Sequence, residues 1–555
     1  MVGLGVIVIP IMSILCVIIT IIFFWKYGAF KHPWYASILM ITSASIPSIM
    51  IIGALPYDIS NCLFGTQATD STALKLFFQI LYWVSFALSW VINPLVVSYL
   101  SYSNSISLKH RIWMTIRENL IFYGVVFGLV AVGVIILVAT NRMTIDSIFP
   151  LAIALANVYG LLLLCLCLGH SFVSLPRDLW QQADPSYKYT YSLFRISQEI
   201  NSAAKILADG EAVLSCAYNA RHQLTGNTNY MFQEKGESRI ERLNLIKGTV
   251  PIPDGCFEPE TKNKAIKKFQ NFDWSRCTDA KLEDFFSIMD KTITSLTESS
   301  SFIEHSAHDA MEALQQYQSH TRSKLIVKRT FSIVLIVFNV ICLWGEICLM
   351  FNPKFSLFYQ ISHVTMPQLV DILLISTPII TYLTVLGCWS LMHLKIGSFY
   401  KFVKGTTNAN TLNYFANFLC RLGPTIGYHY MQQIGAEGSQ FVKVMGVMDV
   451  VVFIGDKWIT LIVSPILLIL VIVFFVFKLD EKFAMLCGCD CNVFESEFVD
   501  FRELEKGEKV LTELEPAARE LVEEGFTYRR VLDGSLPQRY RRNKKFGELE
   551  ENLNN

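Results

Sequence analysis

The chain has 555 residues, of which 52% are hydrophobic and only 17% charged, and its mean hydropathy is +0.40. That composition excludes an ordinary water-soluble domain, in which charged residues make up about 25% of the sequence. The 47 basic residues are matched by 47 acidic ones, so no net field favours nucleic acid as a partner.

A helix needs about 20 apolar residues to cross the ~30 Å hydrocarbon core of a bilayer. Nine segments meet that length: 2–24, 35–55, 77–100, 119–140, 148–173, 330–351, 369–394, 411–430 and 458–477. The expected fold class is therefore an all-α polytopic membrane protein, with about nine transmembrane helices in the lipid bilayer and a long cytosolic, coiled-coil-like hairpin between spans five and six. The first segment has no basic flank before it and no A-x-A-like cleavage site after it, which makes it a retained anchor. Lys26 and Lys31, then Lys109, Arg111 and Arg117, then Lys395, Lys401 and Lys404 fall in alternate loops. Because basic residues concentrate in cytosolic loops, the N-terminus is placed outside and the C-terminus in the cytosol. The expected organisation is spans one to five over 1–173, a cytosolic helical arm over 174–329, spans six to nine over 330–477 and a cytosolic tail over 478–555. The plasma membrane and an endolysosomal membrane both suit it. Of the 14 cysteines, Cys16, Cys165, Cys167, Cys342, Cys348, Cys388 and Cys420 lie within spans, which argues against a disulfide framework.

Within the first five spans, Asn93, Asn157 and His170 are polar groups that hydrogen bonds between helices would satisfy. GVVFG at 124–128 presents two glycines on one helix face and reads as packing. The arm follows. Leu193, Ile196, Ile200, Ala203, Leu207, Gly210, Leu214 and Ala217 recur at alternating steps of three and four, a heptad seam. A second seam runs through Leu282, Phe286, Met289, Ile293, Leu296, Ser300, Ile303, Ala307, Ala310, Leu314 and Tyr317. The Pro- and Gly-bearing stretch GTVPIPDGCFEPETKNKAIKKF between them suits a reversal, so two antiparallel helices are expected. Their apolar stripes need cover, from each other or from cytosolic or membrane protein partners engaged through residues 185–325. EHSAHD at 304–309 lacks the H-E-x-x-H spacing, and no metal is assigned to it.

The second group of spans carries the residues that stand out most. A charge at the centre of a membrane helix costs roughly 2.5–3.5 kcal/mol on insertion scales, so it faces the bundle or water. Arg421 lies near the middle of span eight, with Asn417 one turn before it and Gly423 and Pro424 just after. Proline removes a backbone donor, so the helix is expected to break there. Asn339, Glu346 and His429 are further polar groups in these spans, and Glu346 is the nearest anion in kind for Arg421, although it sits closer to a helix end. Two readings of Arg421 stand: a clamp on neighbouring carbonyls, or a site for an anionic lipid or ligand. No G-x-S-x-G, P-loop, H-E-x-x-H or paired intramembrane carboxylates occur. No catalytic residue, cofactor or metal ligand is assigned, and the chain is expected not to be an enzyme. After span nine, Cys487, Cys489 and Cys491 in CGCDC are juxtamembrane thiols of the kind that become acylated. Beyond them, ELEKGEKVLTELEPAARELVEEGFTYRRV reads as a short surface helix, and RYRRNKK as a basic run able to meet anionic lipid.

YWVSFALSW (82–90), ENLIFYG (118–124), LANVYGL (155–161), LPRDLWQQA (175–183) and LCRLGP (419–424) come in an order that resembles the LMBR family, the limb-region and lipocalin-receptor-like membrane proteins. ALPYDIS (54–60), closing span two, fits as well. The likeness covers roughly 35–183 and 328–490. It implies nine spans, an outside N-terminus, a helical cytosolic arm and an arginine in span eight. Tyr159 stands where a tryptophan is usual, and the loop 56–76 is short, departures that bear on the partner more than on the fold. Members resemble a receptor for lipocalin uptake, a lysosomal factor for cobalamin export and a regulator of G-protein-coupled receptor signalling. The function expected here is a non-enzymatic regulator or scaffold of membrane receptor signalling or trafficking, acting through the arm. A transporter or transport accessory factor with a site near Arg421 is the alternative, and an endocytic receptor for a small-ligand carrier a third.

Overall fold

A computed structural model describes residues 2–64, 71–102, 108–140, 148–252, 260–319, 322–364, 369–394, 401–445, 456–477 and 501–532. Among these the regular structure is entirely helical. In chain order the helices are α1 (Val2–Lys26), α2 (Trp34–Ser48), α3 (Leu55–Phe64), α4 (Ser71–Ala87), α5 (Asn93–Ser101), α6 (Leu108–Ala139), α7 (Ile148–Gln181), α8 (Pro185–Gln223), α9 (Gly226–Lys235), α10 (Glu237–Lys247), α11 (Lys264–Gln270) and α12 (Asp279–Gln318). There follow α13 (Arg322–Phe351), α14 (Leu357–Val364), α15 (Leu369–His393), α16 (Ala409–Gln433), α17 (Gln440–Met445), α18 (Asp456–Phe477), α19 (Phe501–Leu514), α20 (Pro516–Glu523) and α21 (Tyr528–Leu532). The chain forms two compact units, one of Met1–Ser101, Leu108–Pro176 and Ile333–Phe483, the other of Tyr102–Ser107, Arg177–Ser332 and Ala484–Asn555.

The first unit is a bundle whose outer helices turn large apolar side chains outward. On α6, Leu120, Ile121, Phe122, Leu129 and Ile135 are all exposed, an arrangement that lipid, and not water, stabilises. Among the described residues seven helices are long and apolar enough to cross a membrane: Ile7–Lys26, Trp34–Leu63, Thr72–Ser101, Leu108–Ile136, Leu155–Gln181, Leu325–Phe351 and Ile372–His393. The remaining two expected spans fall on α18, whose apolar stretch Ile462–Phe477 is shorter, and on α16. The latter is the centre of the bundle. With 20 of its 25 residues buried, it packs on α2, α4, α5, α15 and α17. A helix wrapped by neighbours on nearly every side can carry Asn, Arg, His and Gln, because other helices supply the partners that lipid cannot.

Two π-helical turns shape the bundle, Ile49–Ala54 between α2 and α3 and Leu88–Ile92 between α4 and α5. Each ends two residues before a proline, Pro56 or Pro94. The wider turn steers the ring away from the carbonyl it would strike in a regular helix. As a result the helix begun at Trp34 does not close at Pro56 and Asp58, where the sequence suggested an end, but continues to Phe64. The break expected at Pro424 is likewise absent, since α16 runs unbroken through it. Room for that helix comes from Gly423, at which any Cβ would collide with Pro47 of α2.

In the second unit α8 and α12 lie antiparallel, with Lys188 bonded to Glu312 at 2.7 Å and Glu199 to Ser299 at 2.8 Å. Asp184 starts α8 by accepting from the Ser186 N–H, with Pro185 at the first helical position. The seam residues from Leu193 to Ala217 and from Leu282 to Leu314 are buried. Each fully covered Leu or Ile contributes about 1.5–3 kcal/mol. The reversal is more than a loop: α9, α10 and α11 cap the far end around an aromatic cluster in which Trp274 meets Phe285 edge-on at 4.9 Å and Phe269 at 5.8 Å. A further departure is the segment 501–532. It is not a free surface helix, since Leu504, Gly507, Val510 and Leu511 of α19 are buried against α8, and Phe526 meets Tyr317 of α12. Gly507 lies on the Leu193 carbonyl so closely that no Cβ would fit. Polar contacts fix the register: Ser197 Oγ donates to Glu503, and Tyr189 Oη donates to Glu508 at 3.1 Å.

Candidate functional site

The polar residues of the bundle gather on and around α16. Arg421 is half-buried, and its Nη2 donates to the Ser89 carbonyl at 2.8 Å. That carbonyl is free for a local reason. In the π turn the Asn93 N–H bonds Leu88 O, and the next residue able to reach Ser89 O is Pro94, which has no N–H. The neighbouring Trp90 carbonyl, four residues before Pro94, accepts from Tyr123 Oη on α6. The guanidinium lies over the rings of Trp90 and Tyr159, 4.4 and 5.1 Å from their centroids, a cation–π setting that suits arginine away from water. Its Nε is buried without a hydrogen-bond partner. One turn earlier, Asn417 accepts from Asn93 Nδ2 at 3.5 Å, and Asn93 Oδ1 accepts from Ser43 Oγ at 3.2 Å.

Glu346 does not pair with Arg421. It belongs to a separate cluster two turns further along α16, where Oε1 accepts from His429 Nε2 at 2.5 Å and Gln433 Nε2 at 2.6 Å. Its Oε2 accepts from Ser464 Oγ on α18 at 2.9 Å. One carboxylate on α13 thereby joins α13, α16 and α18. Other polar groups of the spans also bridge helices. Asn157 accepts from Tyr82 Oη at 3.1 Å and donates to Met445 O at 3.3 Å; Asn339 donates to Phe172 O at 2.9 Å and accepts from Tyr382 Oη at 2.5 Å; His170 Nδ1 meets Ser390 Oγ at 3.1 Å. Asp58, quoted above only as the end of a span, takes the backbone N–H groups of Gln440 and Phe441 at 3.1 and 2.7 Å. An aspartate before a helix start is the signal for such a cap, but here it comes from 382 residues away in sequence, so no local pattern could reveal it.

Of the sequence candidates, then, Asn417, Arg421 and Pro424 share one helix, Arg421 and Asn417 bond different partners, and Glu346 serves another cluster. Cys487, Cys489 and Cys491 and the basic run RYRRNKK lie outside the described residues. What the arrangement can do chemically is hold helices in register and keep one charge, Arg421, bound by carbonyl and aromatic faces.

A helical bundle with lipid-facing apolar sides and inward-turned, mutually bonded polar groups defines a polytopic membrane protein. The chain belongs to the LMBR1-like membrane protein family, whose profile matches residues 5–479. It is 23% identical over 583 residues to the G-protein coupled receptor-associated protein LMBRD2 of Gallus gallus, covering 91% of this chain and 83% of that protein. Against the Homo sapiens protein of the same name it is 22% identical, covering 83% of this chain and 77% of the relative. Against LMBR1 domain-containing protein 2 homolog B of Dictyostelium discoideum it is 23% identical, covering 74% of this chain but 56% of that longer relative. These are the relatives that the order of motifs leads one to expect, and none bears the name of an enzyme. No solved structure matches the chain.

Proposed function

We propose that this protein is a non-enzymatic regulator or scaffold of membrane receptor signalling or trafficking, with nine spans, its N-terminus outside, and the α8–α12 hairpin and C-terminal segment in the cytosol. The observation that carries the reading is similarity along 91% of the chain to a relative named for its association with G-protein-coupled receptors. The second unit supports it by what it leaves free. Its heptad seams are already occupied, so a partner would meet the outer faces, where Tyr230 on α9 and Leu245 on α10 are 67% and 71% exposed. Large apolar groups standing out from a polar helical surface are the usual anchors of a contact. The test is proximity labelling in native cells from the full-length protein, from a Tyr230→Ala/Leu245→Ala variant, and from a chain lacking 190–320. Receptor or trafficking proteins labelled by the first and lost from both others support the reading; identical profiles from all three would sink it.

A second reading, a transport accessory factor that takes an anionic lipid or ligand at Arg421, draws on the free Nε. Arg421→Met would then abolish a ligand-dependent signal in a protein that folds and sorts normally, whereas loss of folding supports the clamp.

A further inference from the structure

The apolar stretch of α1 ends at Lys26 and the next begins at Trp34, so residues 27–33 turn at the level of lipid headgroups. Trp25 and Trp34 stand exposed at the two ends of that turn, as tryptophans do at a membrane–water interface. The segment 401–408, which leads into α16, is strapped to it. Gly405 N–H donates to the Lys26 carbonyl at 2.9 Å, and Thr407 N–H to the Tyr27 carbonyl at 3.3 Å. His32 Nε2 bonds the Thr407 carbonyl, 375 residues away in sequence, at 2.7 Å, and Tyr27 meets Phe402 edge-on at 5.5 Å. Gly28 has φ +87°, and any Cβ on it would strike the Gly405 carbonyl, so here backbone lies directly on backbone.

The strap brings three lysines to one place. Lys26 is bonded to Gly405 through its carbonyl, Lys404 precedes that glycine, and Lys31 Nζ stands 4.0 Å from the position of a Cβ on it. All three are exposed, and among the described residues none is paired with a carboxylate. The sequence has no aspartate or glutamate from 1 to 57 or from 372 to 436, so neither contributing segment supplies an anion. Glu118 of α6 faces Tyr414, further along α16. Lysines that serve only to orient a membrane helix need no fixed mutual geometry. These have one, set by two loops locked together.

We propose that Lys26, Lys31 and Lys404 form a binding site for the headgroup of an anionic phospholipid that carries more than one phosphate. A phosphodiester alone brings one negative charge, whereas each phosphomonoester adds about 1.5–2, which is what three converging ammonium groups match. Lysine binds phosphate as a point charge. The exposed tryptophans favour a lipid over a free phosphate, since they hold the site where acyl chains begin. The site stands whether or not the helical arm engages receptors.

The experiment titrates full-length protein, in phosphatidylcholine nanodiscs, with a fluorescent short-chain phosphatidylinositol bisphosphate. At about fivefold per lysine, Lys26→Gln/Lys31→Gln/Lys404→Gln should weaken binding about a hundredfold. Gly28→Val keeps every charge but parts the two segments, and should lose most of that affinity. Lys109→Gln/Arg117→Gln, which removes two exposed charges of α6, should bind as wild type does. Unfolding midpoints show which variants fold; the lysine triple, altered only at exposed side chains, carries the test if Gly28→Val does not. Phosphatidylserine in the nanodisc and soluble inositol trisphosphate should each displace the probe only in large excess. An unchanged affinity in the lysine triple, or an equal loss in the α6 pair, would overturn the proposal. So would phosphatidylserine competing molecule for molecule, which means general surface charge, or inositol trisphosphate doing so, which means a soluble anion.

Discussion

Arg421 and Tyr123 answer one fault in the backbone. The π turn and Pro94 together leave two carbonyls without helical donors, and a guanidinium takes one while a phenol takes the other. Arg421→Met should leave Ser89 O buried and unpaired at a cost of about 1–3 kcal/mol, visible as a lower unfolding midpoint in nanodiscs. The same substitution in a Pro94→Ala background, where an N–H is restored, should cost clearly less. A double-mutant cycle that gives simple additivity would break the link between proline and arginine. Arg421 could be singled out from sequence because a charge among apolar residues is conspicuous. Its acceptor could not, since a backbone carbonyl has no identity in the sequence. Glu346 and His429 were each visible too, yet they lie 83 residues apart, and depth along two helices gave no means of pairing them with each other.

At the scale of helices, closeness decides. Gly423→Val on α16 should push α2 away at Pro47, destabilising the bundle by about 1–3 kcal/mol, as overpacking does; a midpoint equal to wild type would show that α2 yields freely. On α19, Gly507→Val should lift the helix from the Leu193 carbonyl while leaving α8 and α12 paired, read as faster hydrogen exchange in 501–532 alone. Glu508 adds a pH dependence to the same contact. Burial pushes its carboxyl above the usual carboxylate range, against the Tyr528 N–H and Tyr189 hydroxyl that hold it down. A raised value means that the docked segment binds the proton more readily than the free one. Docking is therefore firmest below about 4.5, the carboxyl's ordinary value, and weakens as pH rises through the docked value. Glu508→Gln should slow exchange in 501–532 at neutral pH and flatten that dependence. The heptad seams of α8 and α12 were legible because unbroken apolar spacing has one helical reading. The docking of α19 was not, because charges outnumber apolar residues along it and its contact point is a glycine, which hydropathy ignores.

For the whole molecule, the helical class and its membrane setting followed from composition and from apolar run length, quantities that sum over many residues and so survive local error. What escaped were particular contacts between residues far apart in sequence: the cap of α17 by Asp58, the Ser89 carbonyl as the acceptor of Arg421, and the cover that 501–532 gives to the hairpin. Removing 501–555 from the full chain should raise exchange over 186–201, where Tyr189, Leu193 and Ser197 lose that cover, and leave the helices of the first unit unchanged. Unaltered exchange over 186–201 would mean that the segment rests on the hairpin without protecting it. The same contact has a consequence for biosynthesis. Tyr189 and Glu508 are 319 residues apart, and at about 5–20 residues per second the ribosome needs roughly 15–60 s to travel between them. Throughout that interval the hairpin stands finished but for its last covering, with apolar side chains open to the chaperones that bind such surfaces. A message interrupted ahead of codon 501 would leave that invitation standing, and pulse-chase labelling should find its product chaperone-bound and short-lived.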